Sequence, residues 1–218
     1  MTIALFDLDN TLLAGDSDYL WGQFLVKNQM VDGPLFEKEN LRFYKEYEEG
    51  VLDIHAYLTF QLGVLAKYDK SELDRMRGRF LEDMIIPIVA EKSRSILNEH
   101  RDKGDTLVII TATNRFVTTP IAKALGVDHL IATDVEIKNG QYTGRPSGTP
   151  CFQQGKVTLL KQWLEQNRQN LTGSWFYSDS HNDLPLLNEV ENPVAVDPDR
   201  KLAQQAQENG WPIISFRS

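Results

Sequence analysis

The chain has a single cysteine, Cys151, in 218 residues. Neither an intrachain disulfide nor a cysteine-rich zinc site can therefore form. No apolar run approaches the ~20 residues needed to span a bilayer. The N-terminus carries no basic stretch leading into a cleavable apolar segment. Basic residues are the minority, with 23 Lys and Arg against 31 Asp and Glu and a formal net charge of −8. That balance argues against a large nucleic-acid surface, which needs clustered Lys and Arg. It leaves room for an anionic small molecule, because a bound cation inverts the local field. The expectation is a cytoplasmic chain with no nucleic-acid or membrane partner, whose oligomeric state the sequence does not reveal.

What is present is a regular alternation. Short continuous apolar runs, "IALF" (3–6), "LVII" (107–110), "WFYS" (175–178), "PVAV" (193–196) and "PIISF" (212–216), read as strands of a parallel sheet buried on both faces. Residues 89–103, 114–125, 155–168 and 199–209 between them have helical spacing, so the fold class is α/β, a doubly wound parallel sheet. Within 129–144, Asn139-Gly140 between β-rich flanks signals a two-residue hairpin turn. Residues 17–86 break the rhythm with about four helical patterns and no convincing strand. They read as a helical insertion, a cap domain, with residues 1–16 and 87–218 forming the core and Pro87 marking the return. A length between one typical domain and two fits a core with a modest insertion.

Ligands in open α/β sheets bind beyond the carboxyl ends of the strands, and the residues there are of one kind. The first strand ends in Asp7-Leu8-Asp9, "LVII" in Thr111-Ala112-Thr113, and "WFYS" in Asp179, with Asp183 four residues on. One Asp-rich end is an ordinary solvated loop. Two such ends with a Thr end between them suit a hard cation, since Mg²⁺ takes oxygen ligands and keeps several waters.

These segments resemble the motifs of the haloacid dehalogenase superfamily of phosphohydrolases. "DLDNT" (7–11) is similar to its D-x-D-x-T motif after a strand, Thr111 in "VIITAT" matches the second motif, Lys156 in "QQGKV" the third, and "SDSHND" (178–183) the acidic fourth. They occur in the family order across essentially the whole chain. An insertion between the first and second motifs is similar to the cap of the phosphoserine-phosphatase-like branch. The resemblance implies Asp7 as nucleophile, forming an aspartyl phosphate, and Asp9 as acid and then base. Thr111, Ala112 and Lys156 would hold phosphate oxygens. Mg²⁺ would be bound by Asp7, the Asp9 carbonyl and Asp179, with Asp183 as a ligand or a support. A cation in their midst would account for the crowding of acidic residues.

Duller readings stand beside these. Thr111 could cap the next helix, Lys156 could be an exposed first-turn lysine, and Asp183 could cap the helix that follows it. His181 reads as a solvated loop residue, Asp197 as the start of a turn before Pro198, and Trp163, Trp175 and Trp211 as packing residues. Other phosphate chemistries fail on spacing. Six residues after Cys151 stands Val157, not the Arg of a cysteine phosphatase; Gly148 and Gly155 are wrongly spaced for a nucleotide-binding glycine loop. A signalling phosphoacceptor domain would be shorter and would lack the helical insertion. Dehalogenation proper would not need Asp9 or a metal.

In the phosphoserine-phosphatase-like branch, the residue nine positions after the nucleophile is a Glu that pairs with the substrate ammonium, and a cap arginine grips the carboxylate. Here the first position is Asp16, which could equally cap a helix, and the comparable cap stretch "LDIHAYLTFQLG" has no arginine. Arg42, Arg75, Arg77 and Arg79 lie on other helical patterns. An amine site without a carboxylate clamp suggests a phosphorylated amino alcohol, with histidinol phosphate favoured, phosphoserine the alternative, and a promiscuous phosphatase the third reading. The chain is also similar to a group of proteobacterial members of this branch for which histidinol phosphate hydrolysis has been proposed.

Overall fold

A computed structural model describes residues 2–217. Its centre is a six-stranded, all-parallel sheet of β1 (Ile3–Phe6), β2 (Thr106–Ile110), β3 (His129–Ile131), β6 (Trp175–Ser178), β7 (Asn192–Val196) and β8 (Ile213–Ile214), in the order β3-β2-β1-β6-β7-β8. The chain winds outward from β1 in one direction through β2 and β3, then resumes on the other side of β1 with β6. That reversal opens a crevice at the carboxyl ends of β1 and its neighbours, where an open α/β sheet places a ligand.

Alternate residues of each strand serve opposite layers, as the pleat requires. Ala4, Phe6, Leu107 and Ile109 enter one apolar core with helices α5 (Ser93–Asp102) and α6 (Arg115–Ala124). Ile3, Leu5, Val108 and Ile110 enter the other with α7 (Gln154–Asn167), α8 (Leu184–Leu187) and α9 (Arg200–Asn209). The five apolar runs read as strands all lie in the sheet. The last is shorter than expected, and the helix expected from residue 89 begins at Ser93, because Val89 bridges to Leu13 and Ala90 donates to the Leu12 carbonyl. Strand β3 was not anticipated as a member of this sheet. It is three residues long and only partly buried, so it has no apolar run to reveal it.

Helices α1 (Ser17–Lys27), α2 (Gly33–Glu49), α3 (Ile54–Gly63) and α4 (Lys70–Phe80) form the insertion. Its core is continuous with one face of the sheet. Trp21 packs edge-on to Phe80 and to Phe116 of α6, with ring centroids 5.2 and 5.6 Å apart. The antiparallel hairpin β4 (Asp134–Lys138) and β5 (Gln141–Ser147) turns through Asn139 and Gly140, both at positive φ, as a two-residue primed turn demands. It leaves the parallel sheet and lies against α3. Gly144 makes that contact possible: at φ +77 it is left-handed, and a Cβ there would come 3.1 Å from the Gly63 Cα. Among the described residues, no helix is long and apolar enough to cross a membrane.

Candidate active site

The turn after β1 sets the site. Asp7 continues the ladder, its N–H donating to the Tyr177 carbonyl at 2.9 Å. The chain then curls through Leu8–Leu12 with Asn10 at φ 56, a left-handed conformation that Asn tolerates better than most residues. This curl brings Thr11 back to β6. Its hydroxyl donates to Asp179 Oδ1 at 3.1 Å and accepts from the Asp179 N–H at 3.0 Å.

Lys156 is 1% exposed and is not the surface lysine of the duller reading. Its Nζ donates to Asp7 Oδ1 at 2.7 Å and sits 2.7 and 2.8 Å from the two Asp183 oxygens. Ser178 Oγ donates to Asp183 at 2.7 Å. Although Asp183 precedes α8, its side chain makes no capping bond. Gly155 fixes the approach of the lysine: a Cβ there would lie 2.0 Å from the Pro150 carbonyl oxygen, so no larger residue fits without moving the start of α7.

Asp9 is held from a second direction. Its carboxylate accepts the Ser17 N–H at 2.6 Å and the Thr113 hydroxyl at 2.7 Å, with the Thr111 hydroxyl 3.4 Å away. Thr111 does not cap α6; Asn114 does, accepting from the Val117 N–H. Asp16 is the N-cap of α1, accepting the Tyr19 N–H at 2.7 Å, and it also lines the cleft. The capping reading of Asp16 is met, and the same residue faces the cleft.

A cleft opens above Asp7 and Asp9. Asp16, Asp18, Thr111, Ala112 and Thr113 line it, with Tyr19, Phe43, Tyr44, Tyr47 and Tyr57 as aromatic walls. No Lys or Arg is among its lining residues. Arg42 lies over the Phe43 ring and pairs with Glu39 and Glu46, while Arg77 pairs with Asp74 and donates to the Phe116 carbonyl. Arg75 and Arg79 are exposed.

Electrostatics follow from the crowding. Burial pushes the Asp7 carboxyl up to about 7; Lys156 opposes the rise, and Asp183 and Asp9 add to it. Asp179 is driven well above the ordinary carboxylate range by burial and then by Asp7 and Asp183. Burial also raises Asp9, against the bonds from Ser17 and Thr113. Burial works against the charge on Lys156, yet Asp183 and Asp7 outweigh it and hold the ammonium firmly protonated.

His181 is not solvated: its side chain is 12% exposed, its Nδ1 lies 2.7 Å from Asp199, and its backbone N–H donates to the same oxygen. Asp199 caps α9 and holds this loop from a position 18 residues further along the chain. Asp197 sits at φ 43 before Pro198 and also accepts the Phe216 N–H at 3.0 Å. Trp163 packs on His129, Trp175 stacks on Tyr177, and Trp211 covers the second core. Thr11, Ser17 and Thr113 orient the site's carboxylates but were given no role from the sequence. Thr11 belongs to the "DLDNT" stretch, which is the one signal that could have found it.

The strand-end crevice thus gathers acidic side chains around one buried lysine. The family model for haloacid dehalogenase-like hydrolases matches residues 4–188. The chain belongs to that family. It is 43% identical over 219 residues to a histidinol-phosphatase of Neisseria meningitidis serogroup C, covering 99% of each chain. It is 30% identical over 217 residues to a phosphoserine phosphatase of Mycobacterium tuberculosis, covering 98% of this chain and 70% of that one. A crystal structure of a Bordetella pertussis protein of unknown function superposes with a TM-score of 0.93 at 42% identity, covering 99% of this chain and 100% of that chain. Within the family the chain groups with the phosphatases, hydrolases of phosphoric monoesters.

Proposed function

We propose that the protein is a Mg²⁺-dependent phosphatase that hydrolyses a small phosphorylated amino alcohol through an aspartyl phosphate on Asp7, with histidinol phosphate its substrate. The observation that carries the substrate reading is the cleft itself. Four aspartates and five aromatic rings line it, and no cationic side chain does. A substrate carboxylate would meet only like charge there and would lose its hydration without a partner. A substrate ammonium would meet Asp16. The relative from Neisseria meningitidis bears the name of the same activity.

The donor set fits the cation. Asp7, Asp179 and the Asp9 carbonyl would offer oxygens alone, the hard donors that Mg²⁺ prefers. Among the described residues no three His, Cys, Asp or Glu side chains form a ready cage, which suits a cation that takes one or two carboxylates and completes its shell with water and substrate phosphate. Bound there, the cation would offset the repulsion between the Asp7 carboxylate and a phosphate dianion. Asp183 acts as a support, because Lys156 and Ser178 occupy its oxygens.

In the reaction, the Asp7 oxygen attacks phosphorus while Asp9 gives its proton to the departing alkoxide. The raised affinity of Asp9 for a proton suits it to that task, and Ser17 and Thr113 aim it. Lys156 and the Thr111 hydroxyl stabilise charge on the equatorial oxygens. Asp9, now a base, takes a proton from the water that cleaves the acyl phosphate. Phosphate release tests the reading: exhaustive chelation should stop it and Mg²⁺ restore it, with Ca²⁺ a poor substitute because its looser coordination misplaces Asp7. Full turnover after chelation would contradict it.

A further inference from the structure

Three carboxylates meet the cleft around the start of α1, and they are held unequally. Asp9 takes the Ser17 N–H and Asp16 takes the Tyr19 N–H, so the free N–H groups of the first helical turn serve both. Asp18 has no such bond, although it is 3% exposed. Its partners are the Tyr57 hydroxyl of α3, which donates to Oδ2, and the Asn114 amide at 3.4 Å from Oδ1. An ionised carboxylate offers about four lone-pair sites, so Asp18 keeps capacity to accept from the cleft that it lines. It is not needed as the helix cap, a place Asp16 fills.

Burying a carboxylate without a cation is costly. Among the described residues no Arg or Lys pairs with Asp18, and Lys156 is committed to Asp7 and Asp183. The walls beside it are flat rings. Phe43 meets Tyr57 edge-on at 5.3 Å and Tyr19 leans on Tyr44 at 5.0 Å. Aromatic faces suit a planar, positively charged ring.

We infer that Asp18, oriented by Tyr57, is a specificity-determining residue that receives a second nitrogen of the substrate, carried on a planar ring, while Asp16 receives the ammonium. This rests on the site being the phosphomonoesterase described above and adds a requirement: two nitrogens are read, by two carboxylates. The rival is a purely structural Asp18, tying α1 to α3 through Tyr57.

The test compares histidinol phosphate with phenylalaninol phosphate, which has the same ammonium and a ring of similar size without nitrogen. Their kcat/KM values are measured with Mg²⁺ for the wild type, Asp18→Asn and Tyr57→Phe. The wild type should favour histidinol phosphate by at least about tenfold, since a site built to accept from a donor rejects the analogue that lacks it. Asp18→Asn should bring that ratio to within roughly threefold, chiefly through KM, and Tyr57→Phe should lower it by at least about twofold. A ratio unchanged in Asp18→Asn makes the residue structural and overturns the inference while leaving the phosphatase reading intact. Should Asp18→Asn fail to fold, an unchanged ratio in Tyr57→Phe overturns it equally. A wild type that favours phosphoserine over both overturns the substrate reading and the inference with it.

Discussion

On the sheet side of the site, Asp7 and Asp183 share one buried ammonium, that of Lys156. On the insertion side, Asp9, Asp16 and Asp18 accept from neutral donors, among them the Ser17 and Tyr19 N–H groups, the Thr111 and Thr113 hydroxyls, Tyr57 and Asn114. The two groups, of two and three aspartates, are balanced by different sources. The first carries its own cation and needs it whether or not substrate is bound. The second has no such cation among its hydrogen-bond partners, and on the proposed reading it borders the part of the cleft that tells one phosphate ester from another. On the proposed reading, the aspartates crowded into the first 18 positions divide into chemistry, Asp7 and Asp9, and recognition, Asp16 and Asp18.

Removing the internal cation should have the largest effect. Lys156→Met leaves Asp7 and Asp183 facing one another in a buried space, and breaking such a pair costs about 3–5 kcal/mol; urea unfolding reads that loss. Turnover should collapse too. The sign of the pH effect follows from the Asp7 carboxyl, already raised to about 7 with the lysine pulling it down. Without Lys156 it rises further, so residual activity should move to higher pH, because only the ionised carboxylate attacks. A pH profile unmoved in Lys156→Met would separate the lysine from the nucleophile.

Next in size is Asp9→Asn. Formation of the phosphoenzyme from alkyl esters should slow by roughly 10²–10⁴-fold, the range of general acid catalysis, and from aryl esters much less, since their leaving groups need little protonation. Equal slowing for both, in rapid-quench measurements of the first step, would remove Asp9 as the acid. The smallest effect belongs to Arg42→Ala. Its guanidinium is committed to Glu39 and Glu46 and lies over Phe43, so kcat/KM for a phosphorylated amino alcohol should change by less than about twofold. A tenfold loss would show that the insertion supplies a cation to the cleft after all.

The sheet and the polar residues at its strand ends were legible because both are written locally. Continuous apolar runs mark β1, β2, β6 and β7, and Asp7, Asp9, Thr111, Asp179 and Asp183 stand at or just beyond their carboxyl ends. Strand β3 and the docking of the β4–β5 hairpin on α3 were not, since each depends on a neighbour far away in the chain. The same holds for orientation. Nothing in the sequence says that Ser17 and Thr113 converge on Asp9, or that Asp199 draws His181 out of solvent. Asp16 was ambiguous for a physical reason: one carboxylate can close a helix end and still present itself to a cleft.

The most direct measurement is the ratio of kcat/KM for histidinol phosphate to that for phosphoserine, with Mg²⁺ and purified protein. A cleft with unbalanced carboxylates and no carboxylate clamp should favour histidinol phosphate by at least roughly tenfold, about 1.4 kcal/mol of differential transition-state binding. A ratio below one would mean that a cation reaches the substrate carboxylate, and would contradict the division of the site into a self-balanced half and a half completed by the substrate.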